Sequence, residues 1–209
     1  AIVGMSGSGK TTLIKLLLGY YPVKEGGIYL GDKELESYSW KAWRRRCGVV
    51  TQDGFIFSDT IARNIAPSVD EIDKVRLENA VTIANIKEFI ESRPLSYNTK
   101  IGSEGDGLSQ GQKQRILIAR AIYKNPEFVF FDEATNALDA NNEKKIMNNL
   151  NTFFEGRTVL IIAHRLSTVR YADQIIVLDQ GRIVEIGNHD ELIGKQGAYY
   201  KLVKNQLEL

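Results

Sequence analysis

Cysteine is almost absent from this chain: Cys47 is the only one in 209 residues. It closes no internal disulfide, which fits a reducing compartment, and with no partner pattern beside it Cys47 reads as a packed thiol. Long apolar runs are missing too. Val159 to Ala163 is among the longest, and that is strand length against the ~20 residues a membrane-crossing helix needs. The first residues show no signal-peptide pattern. Excess charge of either sign is also lacking. The 27 Lys and Arg against 26 Asp and Glu leave a net charge of +1, so no global electrostatic argument points to nucleic acid or acidic lipid. What remains is ordinary for a globular protein, 43% hydrophobic and 25% charged, long enough for one large domain with a sizeable core.

The strongest positive feature is Gly4-Met5-Ser6-Gly7-Ser8-Gly9-Lys10-Thr11-Thr12. It has the form G-x-x-x-x-G-K-T, follows the apolar pair Ile2-Val3, and leads into a leucine-rich helix. That is the strand, loop and helix setting of a phosphate-binding loop. Glycines let the backbone curl until several N–H groups face one anion, and the helix opening at Lys10 adds its positive end. Ser6, Gly7, Ser8, Gly9, Lys10, Thr11 and Thr12 are the candidate phosphate contacts. Lys10 reaches the β- and γ-phosphates, and the Thr11 hydroxyl is a candidate Mg²⁺ ligand. Only residues 1–3 stand before the loop, so the preceding strands of the domain are expected to lie before Ala1.

In chain order, residues 10–19 read as a helix closed by Gly19, and 28–30 as a short strand turning at Gly31-Asp32. Ser39 caps a helix through Trp40 and Trp43. Arg44-Arg45-Arg46 reads as a solvated helix end, since no aromatic interleaving continues it. Residues 48–51 are a buried strand, with Gln52-Asp53 at its end. The apolar spacing over 70–91 predicts helix, broken at Arg93-Pro94. Because this α segment interrupts a β–α alternation, it reads as an inserted helical subdomain. A glycine-bearing loop at 98–107 precedes a helix from Leu108 to about Tyr123, with Ser109 as its N-cap. Strand 128–131 is apolar on both faces, as a central parallel strand is, and 158–162 reads as another buried strand, with a helix at 141–154 between them. A short helix at 167–171, strands 174–178 and 182–186, and helices 189–193 and 198–205 complete the chain. The expected fold class is α/β: a P-loop core with a mainly parallel sheet flanked by helices, an α-helical insertion, and an antiparallel β portion.

Asp132-Glu133 ends the strand at Phe128–Phe131. A P-loop nucleotidase needs an acid on a neighbouring strand end to hold Mg²⁺ through water, and Asp132 fits. Glu133 is then placed to orient or deprotonate an attacking water. Gln52, also at a strand end, is a candidate for Mg²⁺ or the γ-phosphate and for signalling to a mobile segment. His164 ends the next buried strand, where it suits the γ-phosphate or the positioning of Glu133. His189 reads as a surface residue at a helix start. Leu108–Gln112 offers a second anion-binding helix start, which one subunit does not need. A dimer uses it economically, with this start facing the γ-phosphate held by a partner.

Together these motifs resemble the nucleotide-binding domain of ATP-binding cassette (ABC) transporters over essentially the whole chain. Gly4–Thr12 matches Walker A, Gln52 the Q-loop, Leu108–Gln112 the signature, Phe128–Glu133 Walker B, Asn136-Ala137-Leu138-Asp139 the D-loop, and His164 the switch histidine. The resemblance implies a single ATPase domain over 1–209, with a helical subdomain at about 54–123 and a RecA-like core in the remainder. It implies ATP and Mg²⁺ as ligands, held with Thr11, Gln52 and Asp132. Two copies would sandwich two ATP, with Ser109, Gln110, Gly111 and Gln112 acting across the dimer and Asp139 at the same contact. Closure on ATP would drive attached transmembrane domains at the cytoplasmic face of a membrane, with no nucleic-acid partner. Residues 56–61, Asn64-Ile65 and 164–169 resemble exporters. Gly48–Asp53 and Asn136 are similar to peptidase-containing bacteriocin and peptide exporters. Gln110 departs from the usual second glycine of the signature. Ser103, with Glu104 beside it, stands where exporters often carry a glutamate. The adenine-stacking aromatic is expected before Ala1. Two other classes share the nucleotide motifs. A soluble ABC-type ATPase acting on DNA or ribosomes would carry coiled-coil insertions or tandem cassettes. A nucleotide kinase would leave Leu108–Gln112 and His164 idle.

Overall fold

The computed structural model describes residues 1–67, 69–102, 105, 107–135, 137–162 and 169–207. Strand β1 (Ile2–Val3) runs into the glycine loop and helix α1 (Lys10–Leu17), which ends where Gly19 takes φ 67. The hairpin β2 (Tyr29–Leu30) and β3 (Lys33–Glu34) is antiparallel. Helix α2 (Trp40–Arg46) starts at Ser39, whose side chain accepts from the Ala42 N–H. It leads into β4 (Cys47–Val50), with the Cys47 thiol buried and donating to the Trp43 carbonyl at 3.3 Å. Then come β5 (Asp59–Thr60), α3 (Ile61–Ile65), α4 (Lys74–Ile83), α5 (Lys87–Glu91) and β6 (Lys100–Ile101). After them follow α6 (Gln110–Tyr123), β7 (Phe128–Asp132), α7 (Ala140–Phe154), β8 (Thr158–Ile162), β9 (Ile175–Asp179) and β10 (Arg182–Gly187). The chain closes with α8 (His189–Lys195) and α9 (Ala198–Leu207). Six strands form one sheet in the order β10-β9-β1-β8-β7-β4. β1 pairs in parallel with β8 and β9, and β10 is antiparallel to β9. This is the α/β fold that the residue pattern predicts.

The chain divides into two compact units. The first holds residues 1–47, 130–133 and 160–209. Its core joins Val3, Val169, Ile175, Val177, Leu192, Tyr199 and Val203. Tyr199 and Val203 lie one turn apart on α9 and so share its inner face. The Glu185 carboxylate on β10 accepts the N–H groups of Ala198 and Tyr199 at 2.7 and 2.9 Å, capping α9 from outside. A Cβ on Gly197 would stand 1.7 Å from Glu185 Oε1, so the cap requires glycine there.

The second unit holds residues 48–129 and 134–159. On α7, Ile146, Leu150 and Phe153 recur at helical spacing and are buried. Two features here differ from the sequence reading. The run over 70–91 is two helices rather than one, because Asn85 takes φ 51, a left-handed turn in which asparagine is tolerated. The loop at 98–107 contains β6, which pairs antiparallel with β5, Asp59 opposite Ile101. That pairing is long-range, so local spacing does not announce it.

Candidate functional site

The glycine loop lies in the first unit, and Gly4 and Gly9 have distinct roles in it. Gly4 leaves β1 so close to β9 that a Cβ would stand 2.2 Å from the Leu178 carbonyl and 2.6 Å from Ser8 Oγ. Gly9, at φ 103, is the N-cap of α1 and supplies no side-chain cap. The Gly181 N–H reaches the Ser8 carbonyl at 3.0 Å and pins the loop to the β9–β10 turn. Met5, Ser6 and Gly7 are exposed, as are Thr11 and Thr12 at the helix start.

Lys10 is buried, 6% exposed, and its ammonium donates to the carbonyls of Gly4 and Met5 at 2.8 and 2.9 Å. Burial pulls it below the ordinary lysine value, while Glu133 and Asp132 act in the opposite direction. The three groups are therefore within electrostatic reach of one another. Asp132, at the end of β7, is 5% exposed. Glu133 takes φ 53, and its N–H donates to the Ile162 carbonyl at 3.0 Å. A glutamate in the left-handed region carries local strain, on the order of 1–3 kcal/mol. Ser8 Oγ is buried without a hydrogen-bond partner. An uncapped helix start, a buried cation and an orphaned hydroxyl form a cradle for an anion with several oxygens, and phosphate fits it. The acidic pair behind the cradle fits a hard cation bridging to that phosphate.

The second unit carries the other predicted residues. Gln52 is exposed in the turn after β4. Ser109 caps α6 in a complete capping box. Its hydroxyl accepts from the Gln112 N–H at 3.2 Å, and Gln112 Oε1 accepts from the Ser109 N–H at 2.9 Å. Gln110 is exposed and Gly111 half-buried, and a Cβ on Gly111 would meet the Ala137 carbonyl at 3.3 Å. Asp139 is the N-cap of α7, accepting the N–H groups of Asn141 and Asn142 and the Asn142 Nδ2. The Asn142 side chain, followed by these N–H groups, holds the Asp139 carboxyl below its ordinary value. His164, Asn136, Ser103 and Glu104, and all but Val169–Tyr171 of the helix expected at 167–171, lie outside the described residues. No group of three metal-ligating side chains and no membrane-length apolar helix occurs among the described residues.

A family model described as ABC transporter matches residues 1–136. This chain belongs to the ABC transporter family. ATPase domains of this family bind ATP with Mg²⁺, in keeping with the cradle above and with the acidic pair behind it. The ABC chain is 46% identical over 206 residues to an ATP-dependent lipid A-core flippase of Saccharophagus degradans, covering 99% of this chain and 35% of the flippase. It is 45% identical over 208 residues to ABC transporter B family member 1 of Arabidopsis thaliana, covering 99% of this chain and 16% of that protein. A solved bacterial Atm1-family ABC exporter with ATP bound superposes at TM-score 0.94 with 40% identity, over 99% of this chain and 36% of that one. The ABC chain thus spans about a third or less of the length of these relatives.

Three polar residues that the motif reading passes over also gather here. Arg115, Asn85 and Asn142 connect the start of α6 to the Asp139 turn. Asn142 and Asn149, seven residues apart on one face of α7, were the only hint in the sequence, and nothing local named their partners.

Proposed function

We propose that this chain is the ATP-hydrolysing motor domain of a membrane exporter, acting as a pair of copies around two ATP molecules. The observation that carries the reading is Lys10, buried at an uncapped helix start within reach of Asp132 and Glu133. Lys10, the N–H groups of α1, and residues 6–9 and 12 hold the phosphate oxygens. Thr11, Gln52 and Asp132, the last through water, would hold Mg²⁺, which would neutralise phosphate charge. The Glu133 carboxylate takes a proton from water as the water oxygen bonds the γ-phosphorus. The bond to the bridging oxygen breaks, leaving ADP and phosphate. His164 orients Glu133 or the γ-phosphate. The partner copy closes the site with its residues 109–112 and brings its Asp139 turn to the same contact. Gln52 and the helical subdomain, about 54–123, pass the closure to transmembrane domains at the cytoplasmic face.

The sequence relatives named for a cargo include lipid A-core flippases. The narrower peptide or bacteriocin reading rests on the resemblance carried by Gly48–Asp53 and Asn136. Stimulation of hydrolysis by double-glycine leader peptides, and not by lipid A, supports peptide as the cargo, and the reverse result removes it. MgATP turnover that Glu133→Gln abolishes while binding persists is the expected result for the motor itself. Salt-sensitive binding to DNA or RNA would overturn the membrane assignment.

A further inference from the structure

We propose that Asn85 and Asn142 are positioning residues: with Arg115 they form a hydrogen-bonded relay that holds the Ser109–Gln112 helix start and the Asp139 turn as one piece. The relay can be followed atom by atom within the second unit. The Gly111 carbonyl accepts from Arg115 Nε at 3.3 Å, and Arg115 Nη1 donates to the Asn85 carbonyl at 2.7 Å. Asn85 Nδ2 donates to Asn142 Oδ1 at 2.8 Å, and Asn142 Nδ2 donates to Asp139 Oδ2 at 2.6 Å. Burial pulls the Arg115 guanidinium below its ordinary value while Asp139 opposes this, so the two ends also sense each other through charge.

Each asparagine is suited to its place. At 142 the carboxamide accepts from Asn85 and donates to Asp139, which a carboxylate cannot do, while at 85 the backbone carbonyl accepts from Arg115 and the side-chain Nδ2 donates onward. Aspartate at 142 would set a second carboxylate against Asp139. Asn85 meets a second demand, the left-handed φ of 51 that ends α4. Three of the four links are partly buried and the last, to Asp139, is exposed; hydrogen bonds joined in such a chain polarise one another. The same helices are tied a second time, outside the relay, by Asn149 Nδ2 to the Ile83 carbonyl at 3.2 Å.

The consequence rests on the dimeric reading above. Both ends of the relay are segments assigned to the contact with the partner copy, so their mutual spacing governs how a closing dimer reaches the phosphate. Breaking the relay should slow turnover without weakening the cradle around Lys10.

The test compares Asn85→Gly, which keeps the turn and removes only the carboxamide, with Asn142→Ala, their double variant and Asn149→Ala. Amide exchange in the relay variants should rise at least about threefold at both 109–113 and 139–142, with 10–17 unchanged. Asn149→Ala should not raise both ends. The turnover number should fall about three- to tenfold with KM and ADP affinity within about twofold, and the double variant should be no slower than the worse single one. Exchange rising at one end only, or at neither, overturns the relay, as do losses that multiply in the double variant. Should the wild-type protein fail to hydrolyse ATP, the motor reading falls while the exchange pattern still decides the relay. If Asn85→Gly unfolds globally, Asn142→Ala carries the measurement alone.

Discussion

The chain presents two glycine- and serine-bearing helix starts, and they are finished in opposite ways. At α1 the N-cap is Gly9, no side chain caps the helix, and a buried ammonium sits among loop carbonyls. At α6 the N-cap is Ser109, and a reciprocal capping box with Gln112 satisfies two N–H groups internally. With glycine at the N-cap, the missing side-chain cap forgoes only about a few tenths of a kcal/mol of helix stability. The first start therefore holds its donors open for a ligand. The second is stable by itself and leaves only the N–H groups of Gln110 and Gly111 outside the box. The box also engages the Gln112 side chain, so the part of this start left for a phosphate is its backbone. Under the dimeric reading this difference has a physical sense. The cradle binds first and must be incomplete until it does, whereas the signature start must keep its shape while waiting for a partner.

Substitutions can break or sharpen this contrast. The largest effect is expected for Glu133→Gln: hydrolysis falls by about 10²–10⁴, the usual range for a lost general base, while ATP affinity measured by titration stays within a few-fold. Undiminished steady-state turnover would remove the general-base role. Next comes Lys10→Ala. Losing a charged donor to phosphate, on the order of 1.5–3 kcal/mol, should weaken ADP binding about ten- to a hundredfold, and unchanged affinity would refute the cradle. Gly4→Ala tests the loop's approach to β9. The new methyl meets the Leu178 backbone at 2.2 Å, so thermal unfolding should show destabilisation of about 1–3 kcal/mol. The smallest effect belongs to Ser109→Ala. It should cost about 1 kcal/mol through the lost cap and leave ADP affinity unchanged, because under the dimeric reading this start faces nucleotide held by the partner copy. An affinity loss there matching that of Lys10→Ala would erase the distinction.

The legible parts of the molecule share one property. The phosphate loop, the Ser109 cap and the strands ending at Asp132 and Ile162 all depend on residues close together in the chain. Periodicity also anticipated the helix on α7 and the closing strand pair. It failed over 70–91, where Asn85 ends one helix and the next begins at Lys87. It also gave no sign that Glu185 caps a helix beginning at Ala198. Asn85 looks like an ordinary polar residue within an apolar pattern, and only its φ and its partner on α7 give it a role.

By itself the sequence determined the α/β class, the phosphate cradle and the acids behind it, because turn chemistry, helix capping and strand burial act over a few neighbouring residues. The tertiary structure decided which carboxamides meet. Asn85 finds Asn142 across 57 positions and Arg115 finds the Asn85 carbonyl across 30. It also decided that Gly4 must lie against Leu178. Such pairings depend on how helices and strands pack, and no local pattern encodes the distance between two side chains that far apart in the chain.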